Sequence, residues 1–326
     1  MDIQHYMTST PDSSRSSWVS RNGVTLLTVA CLAGYGAFVE WQWGWSKLFA
    51  QWLEIGLWPV AVALMSLTAT YFVRSWRIHD YFPSETAGRF LRLFRVTQVH
   101  NLLNIMLPFR AGETSFPLLM RSEFGIPLAR ATSALFVMRL LDLHALCAAA
   151  GVGVVINAGG TWPYGLGWIV FLVCPLAFYA LKAPILARLR GHVPERLERI
   201  VEEIEAGIPA DRGAFVRAWA FTVLNWTVKV LVLAWVLALM GVLPLGACFG
   251  GALGGELSSV LPLHAPGGVG TYPAGIAAGA IAFGAAGKGE ALASLGQAAV
   301  NTHLLIIASA FTGTALSVLL SSRRRS

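Results

Sequence analysis

Arg139 and Asp142 stand three apart inside an apolar run, Phe136-Val-Met-Arg-Leu-Leu-Asp-Leu-His144. On a helix that spacing places both on one face. Arg139 would sit roughly 18–20 Å along a helix that starts after Pro127, far from either end. Asn225 and Lys229 share a face in another apolar run, Glu256 precedes a second Leu-Pro, and Asn301 and His303 polarise the last apolar run. Ionisable groups at membrane depth are costly and mark functional sites by default. Arg110, Arg139 and Lys229 are therefore expected to meet Glu113, Asp142 and Glu256 in one polar midplane cavity. Such a cavity recognises charged headgroups: guanidinium binds two phosphate oxygens through its planar fork, whereas ammonium is a point charge. The alternative is a structural ion pair that locks one span to its neighbour.

Other chemistries find little support. Two unrelated histidines, His264 and His303, make no metal site. The chain has no Asp-rich metal motif, no His-based phosphatase set and no Ser/His/Asp arrangement, so neither a catalytic residue nor a cofactor is expected. Pro266-Gly-Gly-Val-Gly-Thr-Tyr-Pro273 resembles a Gly-rich anion loop opening a half-helix. Backbone N–H groups of Gly267, Gly268 and Gly270, beside Thr271 and Tyr272, would hold a phosphate at the positive helix end. No Gly-Lys-Ser/Thr ends it, so it is not a P-loop. Close helix packing is the competing reason for such glycines.

The elements that must position these residues are unusual. Asn101–Pro117 is apolar enough for a membrane yet is interrupted by Pro108, Gly112 and Pro117 and carries Arg110 and Glu113. Broken backbone at membrane depth is tolerated only where protein or a wet cavity covers it. The stretch therefore reads as a broken or re-entrant hairpin. Leu107-Pro-Phe-Arg-Ala-Gly-Glu-Thr-Ser-Phe-Pro117 is echoed by Leu261-Pro-Leu-His-Ala-Pro-Gly-Gly-Val-Gly-Thr-Tyr-Pro273, and upstream Asn104 aligns with Ser258. Paired interrupted segments in two halves point to a transporter's binding site.

Of 326 residues, 56% are hydrophobic and 13% charged; soluble domains carry roughly 25% charged residues. An all-α, polytopic membrane bundle follows. The net charge of +7 sits in short loops and tails and does not suggest nucleic acid. Span candidates cover about 24–39, 52–76, 131–156, 168–181, 214–241 and 292–320. Trp41, Trp43 and Trp45 fit an interfacial belt. Arg74, Arg77, Arg89, Arg92 and Arg95 mark a basic segment, with Ser84 as a helix cap and the last three on an interfacial helix drawn to anionic headgroups. A solvated linker helix is the alternative there. Cys31, Cys147, Cys174 and Cys248 read as buried thiols. Residues 1–22 form a disordered tail, 23–320 one membrane domain and 321–326 a basic end. A charged surface helix over 183–213 joins half-repeats at about 52–156 and 214–320. The Lys/Arg bias puts both termini in the cytoplasm. The two broken segments then enter from opposite faces, as an inverted repeat.

At these residues the chain resembles the integral-membrane, flippase-like domain of lysylphosphatidylglycerol synthase/flippase proteins. The matching pieces are Asn104-x-x-Leu-Pro-x-Arg-Ala-Gly-Glu113, Arg139-x-x-Asp142 and Pro266-Gly-Gly-Val-Gly-Thr-Tyr272. Met138 stands where the family usually has Glu, Pro273 falls short of a usual acid, and Thr114-Ser115 replaces a turn towards a basic residue. The soluble aminoacyl-transfer domain has no counterpart in this sequence. The resemblance implies translocation or binding of a membrane lipid with an anionic or phosphate-bearing headgroup, in a bacterial or archaeal inner membrane. Two other function classes stay open: an enzyme acting on a lipid headgroup or polyprenyl carrier, and a non-catalytic membrane partner of a glycosyltransferase or synthase. A homo-oligomer is the other partner class.

Overall fold

The computed structural model describes residues 18–190, 202, 205–209, 211–260 and 265–322, with the side chains of 18–28, 108–110, 157, 186, 189–190 and 322 outside the description. Residues 1–17 of the expected tail, 191–201, 203–204 and 210 of the charged 183–213 stretch, the Leu261–His264 tip and residues 323–326 of the basic end thus lie outside the described residues, while 18–22, expected in the tail, already belong to a helix. Every regular element among the described residues is helical. The chain runs through α1 (Trp18–Gln42), α2 (Trp45–Ile55), α3 (Leu57–Tyr81), α4 (Pro83–Thr86) and α5 (Phe90–Met106) to a 3-10 tip at Pro108–Thr114. There follow α6 (Ser115–Phe124), α7 (Leu128–Asn157), α8 (Trp162–Ala180), α9 (Lys182–Arg190), α10 (Arg212–Leu239) and α11 (Leu245–Val260). A second 3-10 tip at Pro266–Gly268 leads to α12 (Thr271–Ala282) and α13 (Gly289–Ser322).

Five of these helices, α3, α7, α8, α10 and α13, are long and apolar enough to cross a membrane. Their outward faces carry large apolar side chains, such as Trp162, Ile169, Val170 and Phe178 on α8, while Arg77, Asp142, Asn225 and Glu256 are buried inside. Apolar outside and polar inside is the inverse of a soluble fold, and it suits hydrocarbon as solvent. The chain is a multi-pass membrane protein.

α3 and α10 pack against each other along the centre. α5 and α6 form one helical hairpin, and α11 and α12 form another. α5 packs on α3 and α13, α6 on α7, α11 on α10 and α7, and α12 on α13. The two 3-10 tips meet. The second hairpin closes on glycine: a Cβ at Gly254 would lie 2.2 Å from Gly275 O, and one at Gly279 2.1 Å from Gly250 O. Glycines four apart on both helices let the backbones touch, as in membrane helix pairs generally. Gly254→Val is therefore expected to lower stability by about 1–3 kcal/mol or more, since no side chain there can yield. Gly165→Ala on α8 meets nothing within 4 Å and serves as a neutral or stabilising control in detergent melting curves.

Several expectations change. The 52–76 span is two helices, because Gly56 with φ 88° breaks the chain between α2 and α3. Only glycine takes that backbone without strain. The 168–181 span begins earlier, at Trp162. Ser84 caps nothing: it lies inside α4, and its hydroxyl donates to Glu85 at 2.9 Å. α5 is no interfacial helix. Leu93 and Phe94 are fully buried, Arg92 and Arg95 pair with Glu123 of α6, and Arg89 lies over Phe124. These arginines clamp the base of the first hairpin. Among the cysteines only Cys248 is buried, and Cys147 is exposed on the apolar outer surface. The tryptophan belt divides: Trp41 is exposed, whereas Trp43 donates to Ala293 O at 3.1 Å and Trp45 to Gly36 O at 3.2 Å.

Candidate functional site

The site grows from the seam between α3 and α10. Arg74, Arg77 and Asp80 recur every third residue, so one face of α3 carries all three. Arg77 Nη1 donates to Asp142 Oδ1 at 2.6 Å and to Thr222 Oγ1 at 2.9 Å, and Nη2 reaches Asp142 Oδ2 at 3.5 Å. Asp80 accepts from Arg217 at 2.8 Å. Asp142, fully buried on α7, also accepts from Arg139 Nη1 at 3.3 Å and from Trp226 Nε1 at 2.9 Å. Arg139 Nε lies 2.8 Å from Glu113 Oε1 in the first tip. One carboxylate thus balances two guanidinium groups, and Glu113 supplies the second anion.

A second cluster adjoins it. Lys229 Nζ donates to Glu256 Oε2 at 2.9 Å, and Tyr272 Oη donates to Glu256 Oε1 at 3.0 Å. Lys229 also lies 5.0 Å over the Trp226 ring, so this indole touches both clusters. Tyr272 stacks on His303 at 5.1 Å, and His303 Nε2 lies 2.9 Å from Gly267 O in the second tip. Gly267, Gly268 and Gly270 all have positive φ, at 68°, 71° and 74°. Thr271 caps this turn by donating to Gly268 O at 3.2 Å.

The expected residues are therefore brought together in part. Glu113, Arg139 and Asp142 form one network, and Lys229, Glu256, Tyr272, His303 and the second tip form another. Arg110 keeps its backbone place in the first tip, but its side chain lies outside the described residues, as does all of His264. Asn225 is buried on the α10 face that carries Lys229. Ser258 donates to Gly255 O at 2.7 Å, inside the second hairpin. Asn104 packs against Gly112, where a Cβ would lie 2.5 Å from its backbone. Asn301 belongs elsewhere: its amide donates to Leu48 O at 3.2 Å and Gln51 Oε1 at 2.7 Å, fixing α13 to α2.

Sequence reasoning missed Arg74 and Arg77 as site residues. It assigned them to a basic segment at a span end because that span was started too early. The signal that finds them is the every-third spacing of Arg74, Arg77 and Asp80, which a loop has no reason to keep. Thr222 and Trp226 gave no signal, since a hydroxyl and an indole in an apolar run read as ordinary packing.

Among the described residues no group of His, Cys, Asp and Glu is arranged to hold a metal ion. The arrangement offers fixed cations, carboxylates that orient them, and glycine backbone at a tip. It can bind and desolvate a charged group. Comparison with known proteins bears on which group: the family model described as the lysylphosphatidylglycerol synthase TM region matches residues 24–309. No curated protein and no solved structure matches the chain.

Proposed function

Because the chain belongs to the lysylphosphatidylglycerol synthase transmembrane-region family, whose members are membrane domains associated with lipid handling, we propose that it is a lipid flippase. It takes a phospholipid or lipid-linked headgroup through its polar interior, in a bacterial or archaeal inner membrane. The observation that carries this reading is the pair of buried charge clusters beside the meeting tips of two helical hairpins. A headgroup entering hydrocarbon loses its hydration at high cost. Fixed cations and backbone N–H groups replace part of that hydration.

An inverted repeat is part of the same proposal. Exchanging α3 with α10, α5 with α11, α6 with α12 and α7 with α13 maps most of the helix–helix packing onto itself. α5 on α13 becomes α11 on α7, α6 on α7 becomes α12 on α13, and the tip contact maps onto itself. Transporters built this way place substrate where the broken helices of the two repeats meet. Two re-entrant hairpins entering from opposite faces would bring Arg139 and Lys229 to one depth.

Purified protein reconstituted with fluorescent phospholipids tests the function. Accelerated movement of lipid between leaflets without chemical change is the expected result; chemical conversion of the lipid, or no movement above protein-free vesicles, would refute it. Orientation has its own test. Cysteines placed at Ser13 and Ser326 are expected to be protected from an impermeant thiol reagent in intact cells, with one at Gly160 labelled. Labelling of either terminus from outside would reverse the topology.

A further inference from the structure

We propose that Arg74, backed by an amide face on α5, is the anion-binding point of this interior, and that its ligand is a phosphate or phosphodiester group. The proposal rests on the lipid-handling reading and moves the anchoring role away from Arg139. Among the described residues the buried charges sort into pairs. Arg77 is held by Asp142, Arg139 by Glu113 and Asp142, and Lys229 by Glu256. Each of these cations is already neutralised by a carboxylate within reach. Arg74 is not: its hydrogen bond goes to a neutral amide, Asn101 Oδ1, at 2.8 Å.

The surroundings of Arg74 favour an anion. Of the charged groups close enough to act on it, Asp142 is negative, whereas Arg139 and Arg77 are positive. Asp142 is itself shared between those two arginines. Arg74 is half-buried, unlike fully enclosed Arg77. The second observation is independent of charge. Gln98, Asn101 and Asn104 recur every third residue on α5, so one helix face presents three amides. Gln98 is fully buried and Asn101 more than nine-tenths buried. Both Gln98 amide atoms and Asn104 Oδ1 have no hydrogen-bond partner among the described residues, and Asn101 Nδ2 has only the Tyr71 hydroxyl nearby. Buried polar groups are normally satisfied, and a set left open on one face calls for a ligand. The Asn101 amide N–H beside the Arg74 guanidinium, with the Gln98 amide one turn away on the same helix face, supplies donors that tetrahedral phosphate oxygens accept.

The test uses the full chain in neutral detergent and two variants, Arg74→Gln and Asn101→Asp. The second places a carboxylate within reach of Arg74, so it is expected to keep or raise the melting temperature while occupying the cation internally. Short-chain phosphatidylglycerol, inorganic phosphate and a diacylglycerol with the same chains are titrated against each protein. Wild type is expected to bind phosphatidylglycerol and not diacylglycerol, and both variants to bind it roughly tenfold or more weakly, the loss of one charge-assisted hydrogen bond. Unchanged affinity in either folded variant overturns the Arg74 site and leaves the lipid reading standing. An Asn101→Asp protein that does not fold contradicts the unpaired cation and overturns the site as well. Inorganic phosphate bound as tightly as the lipid, and lost on Arg74→Gln, upholds the anion site but assigns it to a soluble ligand. Wild type that binds neither overturns both proposals.

Discussion

Asp142→Leu is expected to cost about 3–5 kcal/mol of stability, enough to lose most of the folded protein. The reason is the number of groups this one carboxylate serves. Arg77, Arg139 and Trp226 all donate to it, and its side chain is fully buried. Removing it leaves Arg77 enclosed with Thr222 as its one remaining side-chain partner among the described residues, while Arg139 retains Glu113. The paired variant that separates structure from function is therefore Arg77→Met/Asp142→Leu, because it removes the enclosed cation with its anion. Arg139→Leu/Asp142→Leu would still strand Arg77 and fail for structural reasons alone. Thermal unfolding in detergent checks the order: the single variant well below wild type, and the Arg77/Asp142 pair partly or fully restored. A single Asp142→Leu protein as stable as wild type would show that the network carries little of the fold.

The second large effect is on activity. Replacing the Lys229–Glu256 pair by two leucines removes an ion pair whose side chains are 13% and 1% exposed. Substituting both partners of such a pair is often neutral for stability, whereas Glu256→Leu alone strands an ammonium. The double variant still leaves the buried Tyr272 hydroxyl without its acceptor, so it is expected to melt below wild type by about 1–3 kcal/mol of stability but above Glu256→Leu alone, and to move lipid about tenfold or more slowly. A structural lock predicts the opposite pattern, full activity in any variant that folds. Leaflet exchange and melting temperature measured on the same preparations decide between them.

The fold class and the two interruptions could be read directly from residue types. Pro108, Gly112 and Pro117 forbid a plain helix, and long apolar runs with few charges leave little choice of solvent. The first tip and the Arg139–Asp142 contact followed from spacing along single segments, whereas Lys229 and Glu256, on different helices, were grouped only by their expected depth. What spacing along one helix does not contain is rotation of one helix against another. Arg77 meets Asp142 only because α3 and α7 both present their polar faces to α10, and nothing within either segment fixes that. The same limit misplaced Asn301, whose amide serves α2 instead of the tips. The start of α3 was missed for a local reason: Gly56 is a single residue, and the apolar character continues across it.

The glycine contact between α11 and α12 has a mechanical consequence. Where side chains separate two helices, rotamer changes let them slide. Here carbonyl meets backbone, and no compliant layer lies between. The second hairpin should behave as one stiff beam, able to pivot but not to shear. The first hairpin is clasped at its base by long, bendable side chains, Arg92 and Arg95 on Glu123. If the two hairpins trade places during a cycle, the deformation is borne unequally: α5 and α6 flex, and α11 and α12 provide the fulcrum.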